Sequence, residues 1–105
     1  MVLFESPVFS RYREGYLSDD EYLRLQLALI SRPTAGDVIP GSGGIRKLRW
    51  RGSGRGKRGG IRVIYYYIAA DAQIYLLTLY AKAEVKDLTR EQIQALRKLV
   101  EAELK

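Results

Sequence analysis

The fold is decided by residues 61–80, IRVIYYYIAADAQIYLLTLY, in which two β-prone runs flank a short turn. Residues 61–68 and 74–80 are rich in Ile, Val, Leu and Tyr, side chains that fit a strand well. Residues 45–51 alternate apolar and basic side chains, as a half-buried strand does. Because the connections are short, we expect the three strands to pair as an antiparallel meander.

Helical patterns lie on both sides of these strands. Ser6-Pro7 predicts the start of a first helix, because Ser caps helices and Pro favours the first turn. Ser18 and Glu21 form a capping box that predicts a second helix, and Thr89 and Gln92 do the same for a last one. The apolar stripes of the last two helices are Tyr22, Leu25, Leu29 and Ile30, and Ile93, Leu96, Val100 and Leu104.

The complete order of elements follows from these patterns. Residues 2–4 predict a short first strand, and the Gly- and Pro-rich residues 33–44 are interpreted as a loop. The predicted order is β-α-α-β-β-β-α, an α+β fold in which an antiparallel sheet packs against helices. A chain of 105 residues suits one domain, which we expect to span residues 1–105.

The chain lacks both cysteine and histidine, which removes several classes of chemistry. Cysteine is needed for disulfides and zinc–thiolate sites, and histidine is the usual acid/base group and the commonest metal ligand. No apolar run reaches the roughly 18 residues of a membrane span, and the N-terminus lacks a signal-peptide pattern. We therefore expect a cytoplasmic protein, not bound to membranes, that uses no metal or cofactor.

Basic residues are concentrated in one acid-free segment. The net charge is +6, and no Asp or Glu lies between Asp37 and Asp71. Eight of the 18 basic residues lie within this gap: Arg46, Lys47, Arg49, Arg51, Arg55, Lys57, Arg58 and Arg62. Such a cluster predicts a polyanionic partner, above all nucleic acid, and the alternative is a solvated charged surface.

Strand geometry sorts some of these cations by face. Side chains alternate along a strand, so Lys47, Arg49 and Arg51 share one face. Leu48 and Trp50 then point the other way, towards the core. Three like charges in a row repel one another unless solvent or an anion lies between them. The pattern therefore predicts either an anion site or an exposed strand face.

The loop from Gly52 to Gly60, GSGRGKRGG, nearly matches one phosphate-binding motif and literally matches a second, but neither motif fits here. A Walker A loop requires Ser or Thr after Gly-Lys, but Arg58 follows Lys57. The G-x-G-x-x-G pattern at residues 54–59 leads into a strand, whereas a dinucleotide site requires a helix there. We interpret the segment as a cationic loop that approaches a phosphate backbone, the alternative being a plain hairpin loop.

Residues at the ends of the second and third strands are expected to face the same cleft. Arg62 interrupts an apolar strand, and burying an arginine without a partner is costly, so we expect it to face the basic cleft. Tyr80 and Lys82 share a parity at the end of the third strand and can face the same cleft. The nearest acids, Glu84 and Asp87, either balance this charge or cap the last helix.

In combination, these segments resemble the HigB-like branch of the RelE toxin superfamily. The matching residues are 41–49 (GSGGIRKLR), 54–62 (GRGKRGGIR), 65–66 (YY), 76–84 (LLTLYAKAE) and 87–88 (DL), with 16–22 (YLSDDEY) and 36–39 (GDVI). The resemblance covers almost the whole chain and implies a RelE-like, microbial-RNase-type fold. It also implies a type II toxin that cleaves messenger RNA in the ribosomal 30S A site and is neutralised by an antitoxin.

The resemblance also implies site residues. Arg62 matches the arginine that opens the strand after the glycine-rich loop, and Lys82 matches the basic residue after the last strand. Lys47 and Arg49 match the family's basic strand, to within one residue. Other members use a later tyrosine or histidines, which this chain lacks, so the general base stays open among Lys47, Lys57, Lys82 and Tyr80.

The expected reaction is metal-independent attack of a ribose 2′-hydroxyl on the adjacent phosphorus, which gives a 2′,3′-cyclic phosphate. Arg62 and Arg49 would stabilise the negative charge of the transition state, because guanidinium groups bind phosphoryl oxygens well. Contacts to the RNA or ribosome are expected from Arg46, Arg51, Arg55, Lys57 and Arg58.

The resemblance implies an antitoxin that is encoded adjacently and contains a helix-turn-helix, so that operator DNA is contacted only through it. Two other functions are compatible with the same residues. One is a non-catalytic RNA- or ribosome-binding module, and the other is an interaction protein whose basic cluster docks an acidic partner.

Overall fold

The computed structural model describes residues 1–51 and 60–103, which form a five-stranded sheet with helices on both faces. The elements are β1 (Val2–Glu5), α1 (Pro7–Tyr16), α2 (Asp19–Ser31), β2 (Asp37–Val38), β3 (Arg46–Trp50), β4 (Ile61–Ile68), β5 (Gln73–Ala81) and α3 (Arg90–Glu103). A 3-10 turn at Ala69–Asp71 joins β4 to β5. The α+β class and the predicted order are confirmed, with the two-residue β2 added inside the segment interpreted as a loop.

The strands lie in the order β1-β5-β4-β3-β2. The antiparallel meander of β3, β4 and β5 is confirmed. The expectation of a wholly antiparallel sheet is corrected, because β1 pairs parallel with β5, from Val2 opposite Gln73 to Glu5 opposite Leu76. Two helices separate β1 from the meander, and a connection of that length allows β1 to enter in either direction.

Helices α1 and α2 cover one face of the sheet. Ser6 caps α1 by accepting from the Phe9 N–H at 3.0 Å, and the capping box of Ser18 and Glu21 opens α2 as predicted. Leu25 and Leu29 are fully buried. Ile30, which was expected to widen this stripe, is 43% exposed, because consecutive helix positions lie about 100° apart around the axis.

Helix α3 covers the opposite face. Its predicted capping box is present, with the Thr89 N–H donating to Gln92 Oε1 at 2.8 Å and the Gln92 N–H to Thr89 Oγ1 at 3.1 Å. Val100 and Leu96 pack against the β4 and β5 core, whereas Leu104 lies outside the described residues. With 14 residues α3 is the longest of the described helices, and none of these is long and apolar enough to cross a membrane.

Tyr65 fixes the segment before β2. Its side chain is fully buried, and its hydroxyl donates to the Pro33 carbonyl at 2.7 Å and accepts from the Gly36 N–H at 2.9 Å. A Cβ atom at Gly36 would lie 2.9 Å from the Tyr65 ring, so only glycine fits. This contact sets the position of β2 and of the residues that follow it.

Candidate nucleic-acid site

The basic site is built on one row of residues that crosses three strands. Arg49 on β3 pairs with Arg62 on β4, and Arg62 pairs with Tyr80 on β5. Paired residues of antiparallel strands project to the same face, with Cα atoms about 4.5–5.5 Å apart. Tyr80 belongs to the core beneath α3, so the whole row faces that side of the sheet. Three of the predicted catalytic residues are therefore neighbours.

The row is exposed at one end and buried over the rest. Arg49 is exposed, whereas Arg62 and Tyr80 are only 8% and 7% exposed. Arg62 faces the predicted side, but it lies at the base of the site, and its Nη1 donates to the Ile61 carbonyl at 3.5 Å. An anion that enters from solvent can therefore contact Arg49 at the surface and Arg62 at the base of the site.

Tyr80 carries a buried hydroxyl that has no hydrogen-bond partner among the described residues. Burial raises the pKa of Tyr80, and the negative charge of Asp87 raises it further, while the positive charge of Arg62 acts in the opposite direction. A phenol with a raised pKa is neutral at physiological pH. Of the two roles in proton transfer, this favours donation over action as the general base.

Lys47 lies on the same face, two residues before Arg49 on β3 and opposite Ile64 on β4. Its Nζ lies 3.4 Å from Asp87 Oδ1, in the segment between β5 and α3. The Asp87 side chain is 70% exposed, and ion pairs of this kind contribute only about 0–1 kcal/mol. The pair can therefore open when a ligand offers other contacts.

Lys82 extends the site on the other side of the row. Its backbone N–H donates to the Gly60 carbonyl at 3.1 Å, which continues the pairing of β4 and β5 past Ala81. Its Nζ donates to the Lys86 carbonyl at 2.8 Å. Lys47 and Lys82 thus both hold the segment that leads into α3.

The two nearby acids have different surroundings. The Glu84 carboxylate interacts with the hydroxyl of Tyr16, at the end of α1, where burial and then this hydrogen bond raise the pKa of Tyr16. Asp87 instead faces Lys47 and Tyr80. Of the two acids, Asp87 therefore belongs to the basic site.

Asp87 also lines a cavity that the sequence patterns did not predict. The cavity has a volume of about 220 Å³, and Lys47, Tyr80 and Asp87 are its polar lining. Its other walls are apolar: Ile39, Pro40, Leu88 and Ile93. We call this space the Asp87 cavity. The capping box of Thr89 and Gln92 was the sequence signal for this cavity, because it marks the start of α3 and so places Asp87 in the short segment between β5 and α3.

The predicted contact residues do not all join the site. Arg46 lies on the opposite face of β3, where its Nη1 donates to the Gly36 carbonyl at 2.7 Å and the Thr34 carbonyl at 3.4 Å. Arg51 is exposed directly after β3. Arg55, Lys57 and Arg58 lie outside the described residues. Within residues 1–51 and 60–103, no three acidic side chains form a group that could hold a metal ion.

A comparison with known protein families matches the whole chain, residues 1–105, to the RelE toxin of the RelE/RelB toxin–antitoxin system. The toxin of such a system has an antitoxin as its partner, and the match implies the same for this protein. Because the match extends from the first residue to the last, the chain belongs to the RelE toxin family.

Proposed function

We propose that this toxin is a ribosome-dependent endoribonuclease that cleaves translated messenger RNA and so inhibits translation. The observation that carries the proposal is the row of Arg49, Arg62 and Tyr80, where strand register brings two guanidinium groups to one face. Lys47 and Lys82 lie on either side of this row along the strands. Membership of the RelE family supports the same function.

In the proposed reaction, a ribose 2′-hydroxyl attacks the adjacent phosphorus, and the bond from phosphorus to the 5′ oxygen breaks. The products are a 2′,3′-cyclic phosphate and a 5′-hydroxyl end. Negative charge builds on the phosphoryl oxygens in the transition state, and preorganised cationic donors stabilise it. Arg49 and Arg62 supply these donors, and the reaction requires no metal ion.

The candidates for proton transfer are Lys47, Lys82 and Tyr80, together with Lys57, which lies outside the described residues. The neutral Tyr80 hydroxyl is suited to donate a proton to the leaving 5′ oxygen, and the lysines are the candidates for the group that accepts the proton of the 2′-hydroxyl. One such group supplies a factor of roughly 10²–10⁴. The ribosome supplies the remaining acceleration by holding the RNA for in-line attack.

The experiment is 5′-end mapping of transcripts in cells after brief induction of the toxin. Arg49→Ala is compared with Arg24→Ala, which removes another exposed guanidinium, from α2 on the opposite side of the sheet. We expect new 5′ ends within translated regions, fewer by about 100-fold or more in Arg49→Ala, and unchanged in Arg24→Ala. The absence of new ends would favour a non-catalytic RNA- or ribosome-binding module.

Within the family, we place the chain in the HigB-like branch. The motifs at residues 41–49, 54–62 and 76–84 support this placement. The antitoxin would then be encoded adjacently and carry a helix-turn-helix, and the toxin would reach operator DNA only through it. Copurification of the toxin with the product of the neighbouring reading frame tests this assignment.

A further inference from the structure

The Asp87 cavity differs in its lining from the neighbouring pair of Arg49 and Arg62, which we call the arginine row. Its volume of about 220 Å³ is below the roughly 300–1,000 Å³ of sites for drug-sized ligands, so it suits a fragment about as large as one base or one phosphate. Four of its lining residues are apolar, and Lys47, Tyr80 and Asp87 are polar. These features decide which fragment fits.

A phosphate group is a poor occupant. Apolar walls offer no hydrogen bonds to replace the water that a phosphate loses on entry, and that loss is costly. The one cation among its described lining residues, Lys47, is paired with Asp87, and the negative charge of Asp87 repels an anion. The arginine row lies only a few residues away and provides cationic donors. None of the residues paired across the strands in this row is acidic. A phosphate will therefore occupy the row and leave the cavity to another part of the nucleotide.

A nucleobase suits the cavity, because its flat faces are apolar and its edge is polar. Proteins read unstacked bases by packing apolar or aromatic side chains on the faces and hydrogen bonding the edge. Here the apolar contacts come from Ile39, Pro40, Leu88 and Ile93.

The polar groups of the cavity narrow the choice of base. A carboxylate only accepts hydrogen bonds and an ammonium group only donates them. Asp87 Oδ1 and Lys47 Nζ present this acceptor and donor 3.4 Å apart. Tyr80, 7% exposed, adds a hydroxyl that has no partner among the described residues.

Guanine carries the complementary edge, a carbonyl acceptor beside two N–H donors. Adenine and cytosine each place an acceptor nitrogen beside a single amino donor, and uracil has one N–H between two carbonyls. We propose that the Asp87 cavity is a guanine-binding subsite, in which Asp87 accepts from the ring and amino N–H groups and Lys47 donates to the carbonyl. With Lys47 engaged by the base, Lys82 is the described lysine left to accept the proton in the cleavage step.

The subsite deepens the nuclease function proposed above and rests on it for its biological meaning. Arg49 follows Lys47 by two residues on the same strand face, which is about 6.6 Å along the strand. A nucleotide with its base in the cavity can therefore place its phosphate on the arginine row. Opening the exposed pair of Lys47 and Asp87 sacrifices little stability, since such pairs are weak.

The test is a calorimetric titration of the purified toxin with guanosine 3′-monophosphate and, separately, adenosine 3′-monophosphate. We expect the guanosine nucleotide to bind roughly 10-fold more tightly, the size of effect that one bidentate base contact produces. Asp87→Asn should abolish this preference. Glu84→Gln is the matched control, because it removes an equal charge from the same segment at a side chain that faces Tyr16.

Equal affinities for the two nucleotides, or a preference that survives in Asp87→Asn, would overturn the subsite. Circular dichroism checks that Asp87→Asn is folded, as expected for an exposed side chain. The titration requires no RNA cleavage, so it separates the two proposals. Guanosine selectivity without any new 5′ ends in cells would keep the subsite and refute the nuclease.

Discussion

Replacing Tyr80 by Phe removes one buried hydroxyl and leaves the ring in place. That hydroxyl makes no hydrogen bond with the described residues, and the residue is only 7% exposed. A buried polar group without a partner destabilises a fold by about 1–3 kcal/mol. We therefore expect Tyr80→Phe to raise the free energy of unfolding by about 1 kcal/mol, and the Tm by roughly 4–8 °C.

Urea titration and thermal melting at neutral pH measure this change. Tyr12→Phe is the control, because the Tyr12 side chain is 49% exposed and surface substitutions change stability by less than about 0.5 kcal/mol. The same Tyr80 variant should lose RNA cleavage, since residues kept at a cost in stability commonly serve function. If Tyr80→Phe is less stable than the original chain, the hydroxyl already has a partner and is not a buried group left unpaired.

Three further predictions concern stability. Gly36→Ala should lower the free energy of unfolding in urea by about 1–3 kcal/mol, because its Cβ would lie 2.9 Å from the Tyr65 ring; an unchanged midpoint would contradict this packing. Arg46→Ala should lower the free energy of unfolding by about 1 kcal/mol, because it leaves the buried Gly36 carbonyl without its donor. The control, Arg24→Ala, should change it by less than about 0.5 kcal/mol. Equal effects of the two substitutions would show that Arg46 does not hold this segment. Burial raises the pKa of Tyr65 and Tyr80 above the ordinary 10.0, so the folded state holds these protons more tightly than the unfolded state does. The free energy of unfolding is therefore unaffected by the titration of these groups below pH 10.0 and falls as the pH rises from there through the folded-state pKa. Urea melts from pH 9 upward should show this loss, which Tyr80→Phe reduces; a loss of equal size in that variant would contradict the role of Tyr80.

Local patterns predicted most of the fold. The capping boxes at Ser18 and Thr89 and the β-prone run at residues 61–68 are decided by neighbours within a few residues, so sequence alone shows them. The direction of β1 depends on a partner strand some 70 residues away, and the exposure of Ile30 depends on where α2 meets the sheet. The direction of β1 is not encoded locally, and helix periodicity alone does not show which neighbours of the Leu25 and Leu29 stripe the sheet covers.

The candidate site was predictable only in part. Strand parity correctly placed Lys47 and Arg49 on one face, and Arg62 and Tyr80 joined them. Charge alone could not separate Arg46, whose guanidinium holds backbone carbonyls on the other face. The contribution of Asp87 was visible only once α3 had been placed, because the cavity forms between elements that are distant along the chain.

The central claim is that Arg62 stabilises the transition state of RNA cleavage. Single-turnover cleavage on purified, messenger-programmed ribosomes tests it most directly, with Arg62→Lys compared with the original chain and ribosome binding measured in parallel. The lysine keeps the charge and loses the planar pair of donors. We predict that the cleavage rate falls by about 10²–10³-fold while the Kd for ribosomes changes little. An unchanged cleavage rate, or a loss explained entirely by weaker ribosome binding, would contradict the claim.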